Sequence, residues 1–336
     1  TWSSGAGGDV ALQRPRGIAV DDNGNVYAAD ELRQAIVRFN STGDSLTPFA
    51  TVEPPFDVAI VNCDTAGFQL CSSGLELWSA EPSASRRYAI QDGASLGTVF
   101  ASGATHLAFD SGPGFYSALG STVRRHGING QVSASADIDI LVGSLVPSRV
   151  TALAGRADGV AVTYGQTTES GRFQVTFGGA ALLDNSLATT ELRWEGDAGH
   201  PSSILVDHER DNHIYLVESK FYDRGGLRIL DPNAAYMYTL GSEGTAPGNV
   251  GLIPLVGQYG GMAFGPNGDL YVSEPGNNRI SRFRRDSSTS NARAVILAGG
   301  GDQAGNAIWD ATLVNASLAY QTLRYRGFGK DDIRFF

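Results

Sequence analysis

The chain has 336 residues, 42% of them hydrophobic, and a formal net charge of -10. That composition supports a sizeable core and excludes a disordered chain. The acidic balance argues against nucleic-acid binding and against attraction to an anionic membrane surface, and no apolar run approaches the roughly 18 residues needed to insert into a bilayer.

In chain order, Thr1-Trp2-Ser3-Ser4 reads as an isolated outer strand ahead of the glycine-rich Gly5-Ala6-Gly7-Gly8-Asp9. The start at Thr1, without Met or a signal peptide, is expected to mark a removed leader or an excised piece of a longer chain. Residues 15–27 then form an apolar strand, an Asn23-Gly24 turn and a second apolar strand, a strong short-range hairpin signal. The same phrase returns at 259–274 around Asn267-Gly268. Eroded copies begin near Pro55, Thr105, Arg149 and Pro201, at intervals of the length of a four-stranded propeller blade. Third strands follow at 35–39, 227–230 and 279–283. No amphipathic helix of useful length is predicted, so the chain reads as all-β.

Leu270 to Ile280, with its acidic strand end Glu274 and the turn Gly276-Asn277-Asn278-Arg279, resembles the signature of NHL-repeat β-propellers. Ala298-Gly299-Gly300-Gly301-Asp302 resembles that family's connection between blades. The resemblance implies one propeller domain over residues 1–336, built of four-stranded antiparallel blades. Seven blades are expected, with six as the alternative. Tyr325-Arg326-Gly327-Phe328-Gly329 and residues 331–336 read as the start of a last blade. Pairing of N- and C-terminal strands there would close the ring.

Ligands of such propellers gather where the residues preceding each innermost strand converge. The repeat alignment places Arg16, Phe56, Thr105, Arg149, Ser202, Gly260 and Arg326 there. Three arginines would make an anion-attracting mouth, unless each pairs with a loop carboxylate. Some NHL-type propellers are lyases holding zinc at this mouth with three histidines from different blades. Of His106, His126, His200, His208 and His213, only His106 and His200 fall nearby, and neither takes the aligned position. Asp207, Glu209 and Asp211 alternate as in a calcium loop, but the helix-loop-helix motif's glycine and terminal Glu are missing and a solvated turn is the better reading. Asp30, Glu218 and Glu274 recur at the end of the second strand and are read as satisfying the following turn.

Cys63 and Cys71 flank a turn-like stretch and are read as a disulfide, which together with the acceptor triplets at Asn40 and Asn315 leans the chain toward the secretory route. With no catalytic constellation or cofactor motif apparent, the expected function is a non-catalytic, secreted module. It would bind a protein partner or a second copy within an extracellular or cell-surface structure, with a single glycan site left open. The alternative is a metal-dependent propeller hydrolase or lyase with its site at the central channel mouth.

Overall fold

The computed structural model describes residues 2–3, 11–109, 114–144, 147–170, 173–195, 199–208, 212–220, 226–232, 236–240, 250, 260–284, 293–298, 306–325, 328 and 332–335. These form two compact units, Thr1–Phe283 and Arg284–Phe336, where the sequence reads as one domain.

The first unit contains six four-stranded antiparallel sheets. Sheet one holds Pro15–Val20, Val26–Asp30, Ala35–Phe39 and Ser45–Ala50. Sheet two holds Asp57–Asn62, Leu75–Ala80, Ser85–Ala89 and Ser95–Phe100. His106–Phe109, Phe115–Leu119, Thr122–His126 and Val132–Asp137 make sheet three. Sheet four has longer strands, Ser148–Arg156, Gly159–Ser170, Phe173–Asp184 and Thr189–Glu195. Gly199–Asp207, His213–Lys220, Gly226–Leu230 and Tyr236–Leu240 make sheet five. Sheet six is Met262–Phe264, Leu270–Glu274 and Arg279–Phe283, completed on its outer edge by Trp2–Ser3.

Every first strand is therefore paired on one side only. The second strands Val26–Asp30 and Leu270–Glu274 are buried along their whole length. Alternation across a strand explains how both faces find a partner. In sheet one, Tyr27, Ala29 and Ile36 pack with Val58, Leu77 and Tyr88 of sheet two. Val26, Ala28 and Val37 point the other way and pack with Tyr271 and Ile280 of sheet six. Further layers join sheet two to three through Trp78, Phe115 and Leu107, three to four through Tyr116, Val160 and Leu183, and four to five through Ala161, Ile204 and Leu216. Tyr215 of sheet five meets Phe264 of sheet six edge to face at 5.2 Å. Each large apolar side chain buried in these layers stabilises the fold by about 1.5–3 kcal/mol.

Two short helices interrupt the sheets: α1, Cys63–Ala66, capped by Asn62, and α2, Ile138–Leu141, capped by Asp137. Both caps accept a backbone N–H through a side-chain oxygen, as Asn and Asp do well.

In the second unit, Ala294–Ile296 pairs in parallel with Ile333–Phe335, and helix α3 spans Trp309–Tyr325. This helix is missing from the sequence reading. Its apolar face is carried by Ala316, Tyr320 and Leu323, which pack with Ile296 and Ile333. Exposed Leu313, Val314 and Leu318 blur the period on its other side. Tyr325, read as the start of a blade, is the last residue of α3. Residues 333–335 lie in a two-stranded parallel sheet rather than an antiparallel blade. The outer strand at the N-terminus is present, but its partner is Arg279–Phe283, in the register Trp2↔Arg282 and Ser3↔Ser281.

Candidate functional site

The first strands of all six sheets line one cavity of about 750 Å³. Because each is an edge strand, unpaired backbone N–H and C=O groups are available along the wall. At the leading ends of the strands sit Arg16, Phe56, Asp57, Thr105, His106 and Arg149; at the trailing ends sit Val20, Ile60, Phe109, His208 and Phe264. One end is thus polar and titratable. The other is mostly apolar.

Close backbone packing fixes the polar end. Gly17 donates its N–H to Phe56 O at 3.1 Å. A Cβ on Gly17 would lie 1.8 Å from Asp57 Oδ1 and 2.6 Å from its Cα. A Cβ on Gly261 would come within 2.8 Å of Gly17 Cα. Ser273 Oγ ties these strands together, accepting from Gly261 N–H at 2.6 Å and donating to Arg16 O.

The expected mouth residues have different fates. Arg16 is buried and its guanidinium is held by Glu31, with Nε–Oε2 at 2.7 Å, and lies 5.6 Å from the Phe56 ring. Its charge is balanced by a carboxylate of its own sheet. Thr105 Oγ1 lies 3.1 Å from Ala118 O and 3.0 Å from His106 Nδ1. Arg149 is exposed at the rim. Gly260 is at the edge, where a Cβ would meet Ser273 O at 2.3 Å. Ser202 is buried and donates to Val217 O, and it is Ser203 that lines the cavity. A register shift between Pro201 and Ser203 accounts for this, since a bulge changes which residue faces a given side. Arg326 lies outside the described residues.

Asp57 and His106 were not among the aligned mouth residues, although they carry the most perturbed chemistry. Both lie deep in the molecule while keeping some surface open to the cavity. Burial pushes the Asp57 carboxyl up to about 7, against the opposing pull of two backbone N–H groups. Those donors are Val58 and, from the neighbouring sheet, Leu107, each at 2.9 Å. Among the described residues, no cationic side chain pairs with Asp57. His106 is driven down to about 3, first by burial and then by the Arg16 charge, so it is a neutral imidazole.

The remaining candidates lie elsewhere. Asp207 is buried at the end of its strand, while Glu209 and Asp211 lie outside the described residues. His208 Nδ1 is 3.3 Å from Asn212 Oδ1. His126 is stacked on Phe115 with 4.5 Å between centroids and is bonded to Ser117 and Gly130. Among the described residues, the only cluster of three metal-type ligands is Cys63, Cys71 and Glu76, and its cysteines form a disulfide. The carboxylates that end the second strands each meet an arginine: Asp30 with Arg33, Glu218 with Arg228 and Glu274 with Arg279. Asp30 also accepts from Gln13 and Arg14 N–H, and Glu274 from Asn277 and Ser281. Glu81 does the same in sheet two, with Arg86 and Tyr88 as partners. Sequence reading missed it because the surrounding repeat is eroded. Asn40 is half-buried, its Nδ2 donating to Asp44 at 2.9 Å, and Asn315 is exposed on α3.

Residues 12–39, covering three strands of sheet one, match the NHL repeat. No curated protein matches the chain by sequence at the level of significance applied. Solved structures similar in fold include virginiamycin B lyase from Staphylococcus aureus, 15% identical, covering 81% of this chain and 83% of that one with a TM-score of 0.51. A luciferin-regenerating enzyme is 12% identical over 82% and 88% of the two chains, TM-score 0.54. The calcium-binding protein regucalcin from Agrobacterium tumefaciens is 12% identical over 82% and 90%, TM-score 0.53. At such identities the likeness is one of fold. No helix among the described residues is long and apolar enough to cross a membrane. The chain carries an NHL repeat in its first sheet and has the propeller-type architecture of its structural neighbours.

Proposed function

We propose that residues 1–283 form a six-bladed propeller, closed by the N-terminal strand, that acts as a non-catalytic binding module with its ligand site in the central cavity. One observation carries this reading: six edge strands converge on a space of about 750 Å³. That volume falls in the range of small-molecule sites. The Cys63–Cys71 disulfide supports residence in an oxidising compartment, and hence the secreted, cell-surface setting in which a protein partner, a second copy or glycans at Asn40 and Asn315 would be met.

Ligand-observed NMR with a small-molecule collection tests the site. Binding to the wild type and its loss in Val20→Trp, which fills the cavity, is the expected result. No binding by any compound would sink the cavity reading. Metal analysis of the purified protein separates this proposal from the hydrolase or lyase alternative: one tightly held divalent ion per chain, lodged in the cavity, would favour the enzyme.

A further inference from the structure

We infer that the cavity selects an amphiphilic organic amine, its ammonium group anchored by Asp57 and its apolar body directed along the bore. This rests on the cavity being the binding site.

Asp57 is a carboxyl group set into the cavity wall with no positive partner among the described residues. Among the described residues, its two oxygens accept only from Val58 and Leu107 N–H groups. Every other cation described at that end is spoken for or displaced. Arg16 is neutralised by Glu31, and Arg149 stands exposed at the rim. His106 of sheet three is neutral, and sheets five and six contribute Ser203, Gly260 and Gly261. A carboxylate deprived of water and of a counter-charge binds a proton more readily than usual, which is the behaviour of Asp57. An ammonium ligand supplies the missing charge, and a charge-assisted hydrogen bond in such a setting is among the stronger ones. The apolar residues Val20, Ile60, Phe109 and Phe264 at the opposite end suit a hydrocarbon or aromatic body. The acidic character of the whole molecule, net charge -10, draws cations toward it.

Calorimetric titration with n-hexylamine, hexanol and hexanoate at matched ionic strength tests the assignment. The amine is expected to bind at least about tenfold more tightly than hexanol, and hexanoate more weakly than both. Lowering the pH from 8 to 6 should weaken amine binding about tenfold as Asp57 takes up its proton, while hexanol is unaffected. Asp57→Asn should abolish both the preference and the pH dependence; Asp92→Asn, an exposed carboxylate outside the cavity wall, should abolish neither. Equal binding of amine and hexanol, or a pH dependence that survives in Asp57→Asn, overturns the inference but leaves the cavity as a binding site. If none of the three binds, the inference falls, while the cavity reading stands or falls with the wider compound collection.

Discussion

At the scale of the residue, Gly17 and Asp57 form one device. The absence of a side chain on Gly17 lets the first strand of sheet one approach Asp57. The Asp57 carboxyl then reaches across to Leu107 of sheet three. In Gly17→Ala the added Cβ meets backbone as well as carboxylate, so relief requires a shift of the strand. Urea unfolding should show a loss of about 1–3 kcal/mol, and a variant as stable as wild type would show that the strands do not approach this closely. Asp57 also sets a pH dependence. Its folded pKa of about 7 lies above the unfolded value of about 4. Between those two values the native state holds a proton that the unfolded chain has released. Stability from this group is therefore greatest below pH 4, declines as pH rises toward 7 and is flat above. Subtracting the Asp57→Asn melting profile from the wild-type profile should expose that decline. A difference that grows with pH over the same window would contradict the assignment. None of this was legible from the repeat, because the alignment points to residue 56 and a carboxyl one position later looks like any strand-opening Asp. Its consequence arises from burial by two other sheets.

At the scale of the element, the segment between the first two strands of sheet two departs from the tight turns at Asp21–Asn25 of sheet one and Gly265–Asp269 of sheet six. It opens with α1, is closed by Cys63–Cys71, and inserts Phe68 into the layer between sheets two and three. Phe68 packs edge to face on Phe115 at 5.6 Å and lies 5.9 Å from Phe109, a residue of the cavity wall. Gln69 N–H donates to Ile128 O in the turn of sheet three. The loop thus staples one sheet to the next. Phe68→Ala should cost about 3–5 kcal/mol through the cavity it leaves. Replacing both cysteines by serine should cost about 2–3 kcal/mol by freeing the loop in the unfolded chain. If cysteine replacement also lowers the midpoint of Phe68→Ala by its full amount, the disulfide and the wedge act independently; a smaller decrement shows that the bridge works by holding the wedge. The cysteine pairing could be read from sequence, since the chain's two thiols flank a short turn-like stretch. The wedge could not, since which apolar residue of a short loop enters the layer is decided by the neighbouring sheet it meets.

For the whole molecule, the repeated hairpins made the sheets predictable in type and order, because alternating apolar strands and Asn-Gly turns are local signals. How the sheets are finished depends on contacts between distant segments, which no local pattern encodes. The terminal strand Trp2–Ser3 is readable as an outer strand, yet its partner at Arg279–Phe283 depends on geometry across the entire first unit. That pairing carries a prediction. Without it, the outer edge of Arg279–Phe283 is left with unpaired backbone groups, and sheet six loses the link that joins it to the chain's beginning. The contacts between sheets one and six then rest on packing, through Ile18, Val26, Val37, Tyr271 and Ile280, and on side-chain hydrogen bonds such as Ser273 Oγ to Arg16 O. Deleting residues 1–10 should therefore lower the melting midpoint and raise the tendency to associate through the bared edge, measurable by sedimentation at increasing concentration. Hydrogen exchange should quicken first at residues 279–283 and then across sheet six, while sheets three and four keep their protection. Loss of protection spread evenly over all six sheets would mean that the N-terminal strand secures the whole assembly; no loss anywhere would mean that it closes nothing.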